Sequence, residues 1–228
     1  MNASAMVSDE LASGDDSSGF PGLERFERIA EGATSIVWRA CHGGGQIVAL
    51  KVAKRPGGPS EAIAREATLL ARVGRRWGPA LVDAGPGFIA TAWVEGVPLA
   101  PLAVVDGPGQ RERVAAVVAH AVGRALEELH QAGVRHGDVK PGNILWAPKA
   151  PERDAADERG ATLIDLGLST GIDEEARGGT SRYAAPELRE RAQAGPAADL
   201  WALGVLLAEL LDPRVARATD PRAAMDAC

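Results

Sequence analysis

The chain has 228 residues, 46% of them hydrophobic, which is enough to bury the core of one large domain or of two small lobes. A formal net charge of -6 at pH 7 argues against nucleic acid as its principal partner. Two cysteines argue against a disulfide framework, and the lack of a membrane-spanning run or signal sequence predicts a cytoplasmic protein with no membrane partner.

The first part of the chain is predicted to form a disordered tail and then a small, mostly β lobe. Residues 1–22 are rich in Ser, Gly and Asp and lack hydrophobic periodicity, which is typical of disorder. The lobe is assigned to residues 23–95, with one helix from Ser60 to Val73 whose apolar residues recur at helical spacing. Strands are expected in three stretches: 26–40, 46–53 and 81–94.

The second part, residues 96–228, is predicted to form a larger lobe made mainly of helices. Its elements are expected at 111–130, 143–146, 162–166 and 197–211. The first and last of these are helices, and the last is so apolar that nearly all of its faces should be buried. The charged stretch 148–160 between the two short strands is interpreted as a surface loop.

The block from His136 to Asn143 contains three side chains suited to phosphoryl transfer. Asp138 can orient a hydroxyl group, Lys140 can stabilise charge on the moving phosphoryl group, and Asn143 can bind Mg²⁺ through a hard oxygen. Asp165, at the end of the second short strand, offers Mg²⁺ a carboxylate. The whole chain has only four lysines and two asparagines, so a chance occurrence of this spacing is improbable.

This block resembles the catalytic loop of eukaryotic-type (Hanks-type) serine/threonine protein kinases, and the Asp165-Leu166-Gly167 turn resembles their metal-binding motif. Residues 179–187, which end in Ala-Pro-Glu, resemble the end of the activation segment, and Asp199 resembles the start of the buried central helix. The resemblance extends from Ile29 to Gly204. It implies an α+β, two-lobed protein kinase fold that binds ATP and Mg²⁺ and transfers the γ-phosphoryl group to Ser or Thr hydroxyls of proteins, including its own.

The resemblance also assigns residues of the β lobe to ATP. The stretch between Ile29 and Val37 resembles the glycine-rich loop that covers the phosphates, although Gly32 alone remains of its three glycines. Ala49 and Lys51 lie on one face of the expected strand because side chains alternate there. Ala49 would then leave space for the adenine ring, and Lys51 would hold the α- and β-phosphates.

Two further groups complete this expected nucleotide site. A buried lysine needs an anion, and Glu66, in the middle of the predicted helix, resembles the family's partner. Glu61 is the alternative, but it lies in the first turn, where an acid can simply complement the helix dipole. The stretch around Thr91, Ala92 and Val94 resembles the hinge between the lobes, with Thr91 at the back of the pocket and the other two pairing with adenine through their backbones.

The sequence departs from the family at Gly137, where an arginine usually precedes the catalytic aspartate and meets a phosphorylated activation segment. Glycine offers no cation to a phosphate on Thr180 or Ser181. We therefore hypothesise that activity does not depend on phosphorylation of these residues. Arg177 or Arg182 could substitute for the missing cation.

Two other functions remain as alternatives. His-Gly-Asp is also how the loop reads in small-molecule kinases of related fold, although Lys140 favours a protein substrate. A nucleotide-binding pseudokinase scaffold is the other alternative. The presence of Lys51, Asp138, Asn143 and Asp165 argues against it, because degenerate members of the family usually lack at least one of these residues.

The C-terminal lobe is predicted to be truncated, because few residues follow the helix at 197–211. The helix would then be poorly covered, and a homodimer or a partner protein could bury it. The stretch 220–224 faintly resembles the segment whose arginine pairs with the glutamate of Ala-Pro-Glu. This resemblance predicts an ion pair between Arg222 and Glu187.

Overall fold

A computed structural model describes residues 20, 22–54, 60–75, 77–101, 109–147, 160–172, 174, 179–189 and 195–226. The chain divides into two structural units. The first comprises Met1–Arg75 and Pro79–Val94, and the second comprises Arg76–Gly78 and Glu95–Cys228. Most of the predicted tail and of the predicted loop at 148–160 lies outside the described residues.

The first unit is built on a five-stranded antiparallel sheet and one helix. Its strands are β1 (Leu23–Glu31), β2 (Ser35–His42), β3 (Gln46–Ala53), β4 (Leu81–Gly85) and β5 (Phe88–Ala92). They lie in the order β1-β2-β3-β5-β4, so that hairpin neighbours pair directly. Helix α1 (Ser60–Val73) packs against β4 and β5, with the bounds that its apolar spacing predicted.

Alternation along β3 gives this strand two different faces. Val48, Leu50 and Val52 are buried in the hydrophobic cluster of the unit. Ala49 and Lys51 lie on the opposite, half-exposed face. A slip of one residue would exchange the two faces, so burial of the apolar set fixes the register that places Lys51.

The residues just before β1 belong to this unit. Phe20, which the sequence analysis assigned to the disordered tail, packs on the hydrophobic cluster, and its ring centroid lies 5.2 Å from that of Phe88 in an edge-on contact. The Gly43 N–H donates to the Gly22 carbonyl oxygen over 3.0 Å. The apolar ring of Phe20 is thus partly buried despite the polar composition of the residues that precede it.

The second unit consists mainly of helices, with two small sheets in its described part. Its helices are α2 (Gln110–Gln131), α3 (Pro186–Arg189), α4 (Ala197–Leu211), α5 (Pro213–Arg217) and α6 (Pro221–Asp226). Its strands are β6 (Val97–Pro98), β7 (Val134–Arg135), β8 (Ile144–Trp146), β9 (Ala161–Leu163) and β10 (Thr170–Gly171). One sheet has the order β6-β8-β9, and β7 pairs with β10. Short 3₁₀ turns occur at Pro141–Asn143 and Ser181–Tyr183.

Helices α2 and α4 pack against each other at the centre of this unit. Burial of α4 is less complete than the sequence predicted, because Leu200 is 54% exposed and Leu211 is 50% exposed. Gly204 lies on the same side of the helix and is also exposed, so the three form one open stripe. No helix in the described residues combines the length and apolarity needed to cross a bilayer.

Candidate active site

Lys51 forms an ion pair with helix α1 on the half-exposed face of the sheet. Its Nζ donates to Oε2 of Glu66 over 2.8 Å, and the Glu66 side chain is only 5% exposed. Such a dry carboxylate favours the charged ammonium and fixes its direction. The partner is Glu66, as the sequence indicated, whereas Glu61 is exposed in the first turn of α1.

The cross-strand neighbours of Lys51 and Ala49 belong to the predicted nucleotide site. Val37 pairs with Lys51, and Thr91 pairs with Ala49. Residues directly opposite each other share a face of the sheet, so these four side chains form one continuous patch. Ile29 of β1, also assigned to the nucleotide, leaves its apolar side chain exposed.

The turn between β1 and β2 is held by backbone bonds and by a pair of charges. The Gly32 N–H donates to the Ser35 carbonyl oxygen over 2.9 Å, and the Lys54 N–H donates to the Thr34 carbonyl oxygen over 2.9 Å. The Lys54 Nζ lies 2.5 Å from Oε1 of Glu31. This turn therefore has a defined shape even though the family's other two glycines are replaced.

Two backbone N–H groups at the end of β5 already donate hydrogen bonds within the first unit. The Ala92 N–H donates to the Ala80 carbonyl oxygen over 2.8 Å, and the Trp93 N–H donates to the Ile47 carbonyl oxygen over 3.2 Å. Ala92 can therefore offer an adenine edge only its carbonyl oxygen. Val94, the last residue of the first unit, is half-buried.

In the second unit, Asp138 is 9% exposed, and both of its carboxylate oxygens accept hydrogen bonds. Its Oδ2 accepts from Lys140 Nζ at 2.6 Å and from Asn143 Nδ2 at 3.1 Å. Its Oδ1 accepts from the Thr180 hydroxyl at 2.9 Å and from the Thr180 N–H at 3.2 Å. The fold thus brings together the three predicted residues of the catalytic loop and adds Thr180, which the sequence suggested only as a phosphorylation site.

Asn143 and Asp165 lie at the same edge of the β8–β9 pair. Asn143 precedes β8 and Asp165 follows β9, and these strands are antiparallel with Ile144 opposite Leu163. The Ile164 N–H donates to the Asn143 carbonyl oxygen over 2.9 Å, which fixes the two ends side by side. The pairing of two short strands therefore places both proposed metal ligands at one edge.

The donor atoms at this edge fit Mg²⁺. Asn143 directs its Nδ2 at Asp138, so the carbonyl oxygen of its side chain is the atom suited to a cation. Asp165 presents an exposed carboxylate whose Oδ1 accepts from the Gly167 N–H at 2.9 Å. Mg²⁺ usually keeps several waters and takes one or two protein oxygens together with phosphate, which matches two ligands of this type. In the described ranges no three His, Cys, Asp or Glu side chains cluster as a metal site.

Asp165 has an unusual backbone conformation. Its φ is 70°, the one positive value for a non-glycine residue in the described part of the chain. Asp tolerates the left-handed region better than most residues, but the conformation still costs energy. The predicted strand to residue 166 is wrong for this reason, since β9 ends at Leu163 and the chain turns before Asp165.

We expect Asp165→Ala to be less stable than Asp165→Gly by about 1 kcal/mol, because a Cβ destabilises the left-handed conformation and glycine has none. Urea denaturation of both variants measures the difference. The same pair of substitutions at Glu127, an exposed residue inside helix α2 without a positive φ, serves as a control in which glycine should be the weaker. Equal stability of the two Asp165 variants would contradict the prediction.

Asp199, at the start of α4, organises the backbone of the catalytic loop. The buried carboxylate accepts from the N–H groups of His136 and Gly137, each at 2.9 Å, and lies 2.9 Å from Nε2 of His130. Burial alone would raise the pKa of Asp199, but the hydrogen bonds from His130 and from the two N–H groups help to hold the pKa below its usual value. The buried His136 ring lies 3.1 Å from the Ile164 carbonyl oxygen, just before the Asp165 turn, and so joins the loop to that turn.

Three chain segments meet at Gly137 with no side chain between them. Gly137 has a φ of 80°, and a Cβ there would lie 2.8 Å from the Leu168 carbonyl oxygen. A Cβ on Gly179 would lie 3.0 Å from the Gly137 carbonyl oxygen. An arginine at residue 137 therefore requires a movement of the backbone, and the missing cation is a property of the local chain path.

The structure reveals an ion pair with a buried carboxylate that the sequence analysis missed. Glu209 of α4 is 2% exposed and accepts from Arg182 Nε at 2.6 Å and from the Tyr183 hydroxyl at 2.9 Å. Burial and the Glu209 charge raise the pKa of Tyr183, which keeps its hydroxyl protonated as a donor. The available signal was Glu209 inside the apolar run 200–211, since a buried carboxylate needs a partner.

Arg222 does not form the ion pair predicted for it. Its guanidinium lies over the Trp201 ring, 5.6 Å from the centroid, which is a cation–π distance. Within the part of the chain that the structure describes, no ion pair joins it to Glu187. The Arg222 guanidinium therefore contacts an indole of α4 and not the expected carboxylate.

Comparisons with known proteins agree with this geometry. A family model described as the protein kinase domain matches residues 23–220. The chain is 34% identical over 203 residues to the serine/threonine-protein kinase PknL of Mycobacterium tuberculosis, covering 81% of this chain and 47% of PknL. It is 29% identical over 195 residues to the probable serine/threonine-protein kinase PkwA of Thermomonospora curvata, covering 79% of this chain and 25% of PkwA. The chain thus spans less than half the length of these two relatives.

A solved structure shows the same fold. The crystal structure of another kinase domain superposes with a TM-score of 0.68 at 18% sequence identity. The match covers 83% of this chain and 64% of that chain. The similarity therefore includes most of the elements that carry the residues described above.

Proposed function

The chain belongs to the protein kinase family, and on this premise we propose that it transfers the γ-phosphoryl group of ATP to Ser or Thr hydroxyls of proteins. One observation carries the proposal. The Asp138 carboxylate accepts from a hydroxyl, that of Thr180, at 2.9 Å, while the Lys140 ammonium lies 2.6 Å from the same carboxylate. A carboxylate that already orients one hydroxyl beside a cation has the chemistry needed to orient that of a substrate.

Each of the two units carries residues suited to ATP or to its metal ion. Lys51, kept charged by Glu66, binds the α- and β-phosphates, and Ala49 leaves space for the adenine ring. Asn143 and Asp165 supply the oxygen ligands for Mg²⁺, which neutralises charge on the phosphates when it is bound. These roles need fixed geometry more than unusual pKa values.

The reaction itself would use the catalytic loop. Asp138 orients the substrate hydroxyl, whose oxygen forms a bond to the γ-phosphorus as the bond from that phosphorus to the β–γ bridging oxygen breaks. ADP leaves, and the hydroxyl proton passes to the Asp138 carboxylate. Lys140 stabilises the charge on the transferred phosphoryl group, which is spread over three oxygens.

Incubation of the purified chain with γ-labelled ATP, Mg²⁺ and a mixture of Ser- and Thr-containing peptides tests the proposal. Label should appear on Ser or Thr of the peptides or of the chain itself. Label that appears on a small-molecule alcohol and on no protein would favour the small-molecule alternative. Binding of ATP without any transfer would favour the pseudokinase scaffold.

We expect Lys51→Met to weaken ATP binding by about 10- to 100-fold, because hydrogen bonds from a charged donor are lost. Equilibrium binding of a fluorescent ATP analogue measures this change. Arg72→Met is the matched control, since it removes the same charge from an exposed position in the last turn of α1. The assignment of Lys51 is wrong if both variants bind the analogue as the parent chain does.

A further inference from the structure

Arg182 lies two residues after Thr180, and its guanidinium meets acceptors from two later parts of the chain. Its Nε donates to Oε1 of the buried Glu209 over 2.6 Å. Its Nη1 and Nη2 donate to three carbonyl oxygens at the end of α5: Ala218 at 2.5 Å, Val215 at 2.9 Å and Ala216 at 3.0 Å. The planar fork of an arginine suits several fixed acceptors at once, which a lysine cannot reproduce.

These contacts make Arg182 a cap for helix α5. The last carbonyl groups of a helix have no partner within the helix, and a cation near them is favourable. Helix α5 (Pro213–Arg217) is too short to be stable alone. Asp212 caps its other end by accepting from the Arg214 N–H at 2.8 Å. The position of α5 therefore depends on Arg182 at one end and on Asp212 at the other.

The same arginine is joined closely to the catalytic carboxylate. Residues Ser181–Tyr183 form a 3₁₀ turn in which the Tyr183 N–H donates to the Thr180 carbonyl oxygen over 2.9 Å. Tyr183 also donates its hydroxyl to Oε2 of Glu209 over 2.9 Å. One buried carboxylate thus holds two consecutive residues of this turn, and the turn holds Thr180, whose hydroxyl contacts Asp138.

We propose that Arg182 is a positioning residue that holds the Thr180–Tyr183 turn against Asp138 without the help of a phosphate group. This inference rests on the proposed kinase function. Gly137 supplies no cation to a phosphorylated segment, and the Arg182 cation is already engaged by Glu209 and by the α5 carbonyls. The Arg182 cation therefore does not substitute for the missing phosphate-binding arginine. The dephosphorylated chain should instead already have the turn in place.

The test compares the parent chain with Arg182→Met and Arg182→Lys after phosphatase treatment of all samples. Arg124→Met is the control, because it removes the same charge from an exposed position on helix α2, away from the α5 carbonyls. Two quantities are measured. One is the kcat of peptide phosphorylation with the KM for ATP, and the other is the amide hydrogen exchange of residues 180–184 and 213–218.

We expect Arg182→Met to lower kcat by about 10- to 100-fold, because the Thr180–Tyr183 turn would no longer be held against Asp138. The KM for ATP should stay unchanged. Exchange should accelerate at both segments together and nowhere else. Arg182→Lys should give intermediate values because it keeps the ion pair with Glu209 but not all of the carbonyl contacts. Arg124→Met should behave as the parent chain.

Three results would overturn the inference: a parental kcat in Arg182→Met, faster exchange throughout the chain with weaker ATP binding, or loss of the parent chain's activity on phosphatase treatment. Failure of the proposed function is distinguishable from these. If the parent chain transfers no phosphoryl group, the exchange measurement still decides whether Arg182 couples the two segments. Unchanged exchange in Arg182→Met would then reject the coupling.

Discussion

Asp138→Asn is expected to lower kcat for peptide phosphorylation by about 10²–10⁴-fold and to leave ATP affinity almost unchanged. The amide keeps the size of the carboxylate and one acceptor oxygen, so this nearly buried side chain keeps its shape while one of its two pairs of donors loses an acceptor. It cannot accept the proton of a substrate hydroxyl, and it removes the negative charge beside Lys140. The proposed ATP contacts belong to other residues, so binding should persist.

Steady-state kinetics and binding of an ATP analogue measure the two effects separately. Asp220→Asn is the matched control, because it makes the same chemical change at an exposed carboxylate that caps α6 through the Arg222 N–H. A variant of Asp138, whether Asn or Ala, that retains phosphorylation at the parental rate would contradict the assignment of the catalytic residue.

Asp199→Ala is expected to reduce the free energy of unfolding by about 3–5 kcal/mol, the range found when one partner of a buried charged group is removed. The substitution leaves the N–H groups of His136 and Gly137 buried without their acceptor and takes the partner from His130. Unpaired buried donors are costly because water cannot replace the lost bond. Much of the stability of a typical domain would be lost.

Urea denaturation monitored by circular dichroism measures this loss. Glu127→Ala, which removes an exposed carboxylate from α2, is the control and should change stability by less than about 0.5 kcal/mol. Near-equal midpoints for the parent chain and Asp199→Ala would show that the catalytic loop does not depend on this carboxylate.

The same carboxylate predicts a pH dependence. The pKa of Asp199 is lowered in the folded chain, so its ionised form stabilises the fold above the unfolded-state pKa of about 3.9. This contribution is lost as the pH falls through the lower, folded-state pKa. The difference in stability between the parent chain and Asp199→Asn should therefore be constant near neutrality and shrink below about pH 4. A difference that grows in acid would contradict the assignment of sign.

Features that depend on local spacing were predictable from the sequence. Helices α1 and α4 begin and end where their apolar patterns predicted, because helical periodicity is read from neighbouring residues. The Lys51–Glu66 pair was also predictable, since a buried lysine needs an anion and only two acids lie on α1. The starts of the β8 and β9 strands were placed to within one residue, whereas the end of β9 was placed three residues too late.

Features that depend on backbone groups far along the chain were not predictable. Arg182 bonds to carbonyl oxygens 33 to 36 residues later, and every residue type carries a carbonyl. The positive φ of Asp165 follows from the turn that joins β9 to the following segment, which no composition rule indicates. Phe20 was assigned to the disordered tail because the residues before it are polar, although its ring packs on the hydrophobic cluster of the sheet.

At Gly137 the chain has no cation, and it also has no space for a side chain. A Cβ on Gly137 would lie 2.8 Å from the Leu168 carbonyl oxygen. A Cβ on Gly179 would lie 3.0 Å from the Gly137 carbonyl oxygen. An arginine before Asp138 would thus install a cation only by displacing the backbone at Leu168. Control by a phosphate bound next to Asp138 would therefore need more than the one substitution at Gly137, because the chain path at Leu168 would have to change with it.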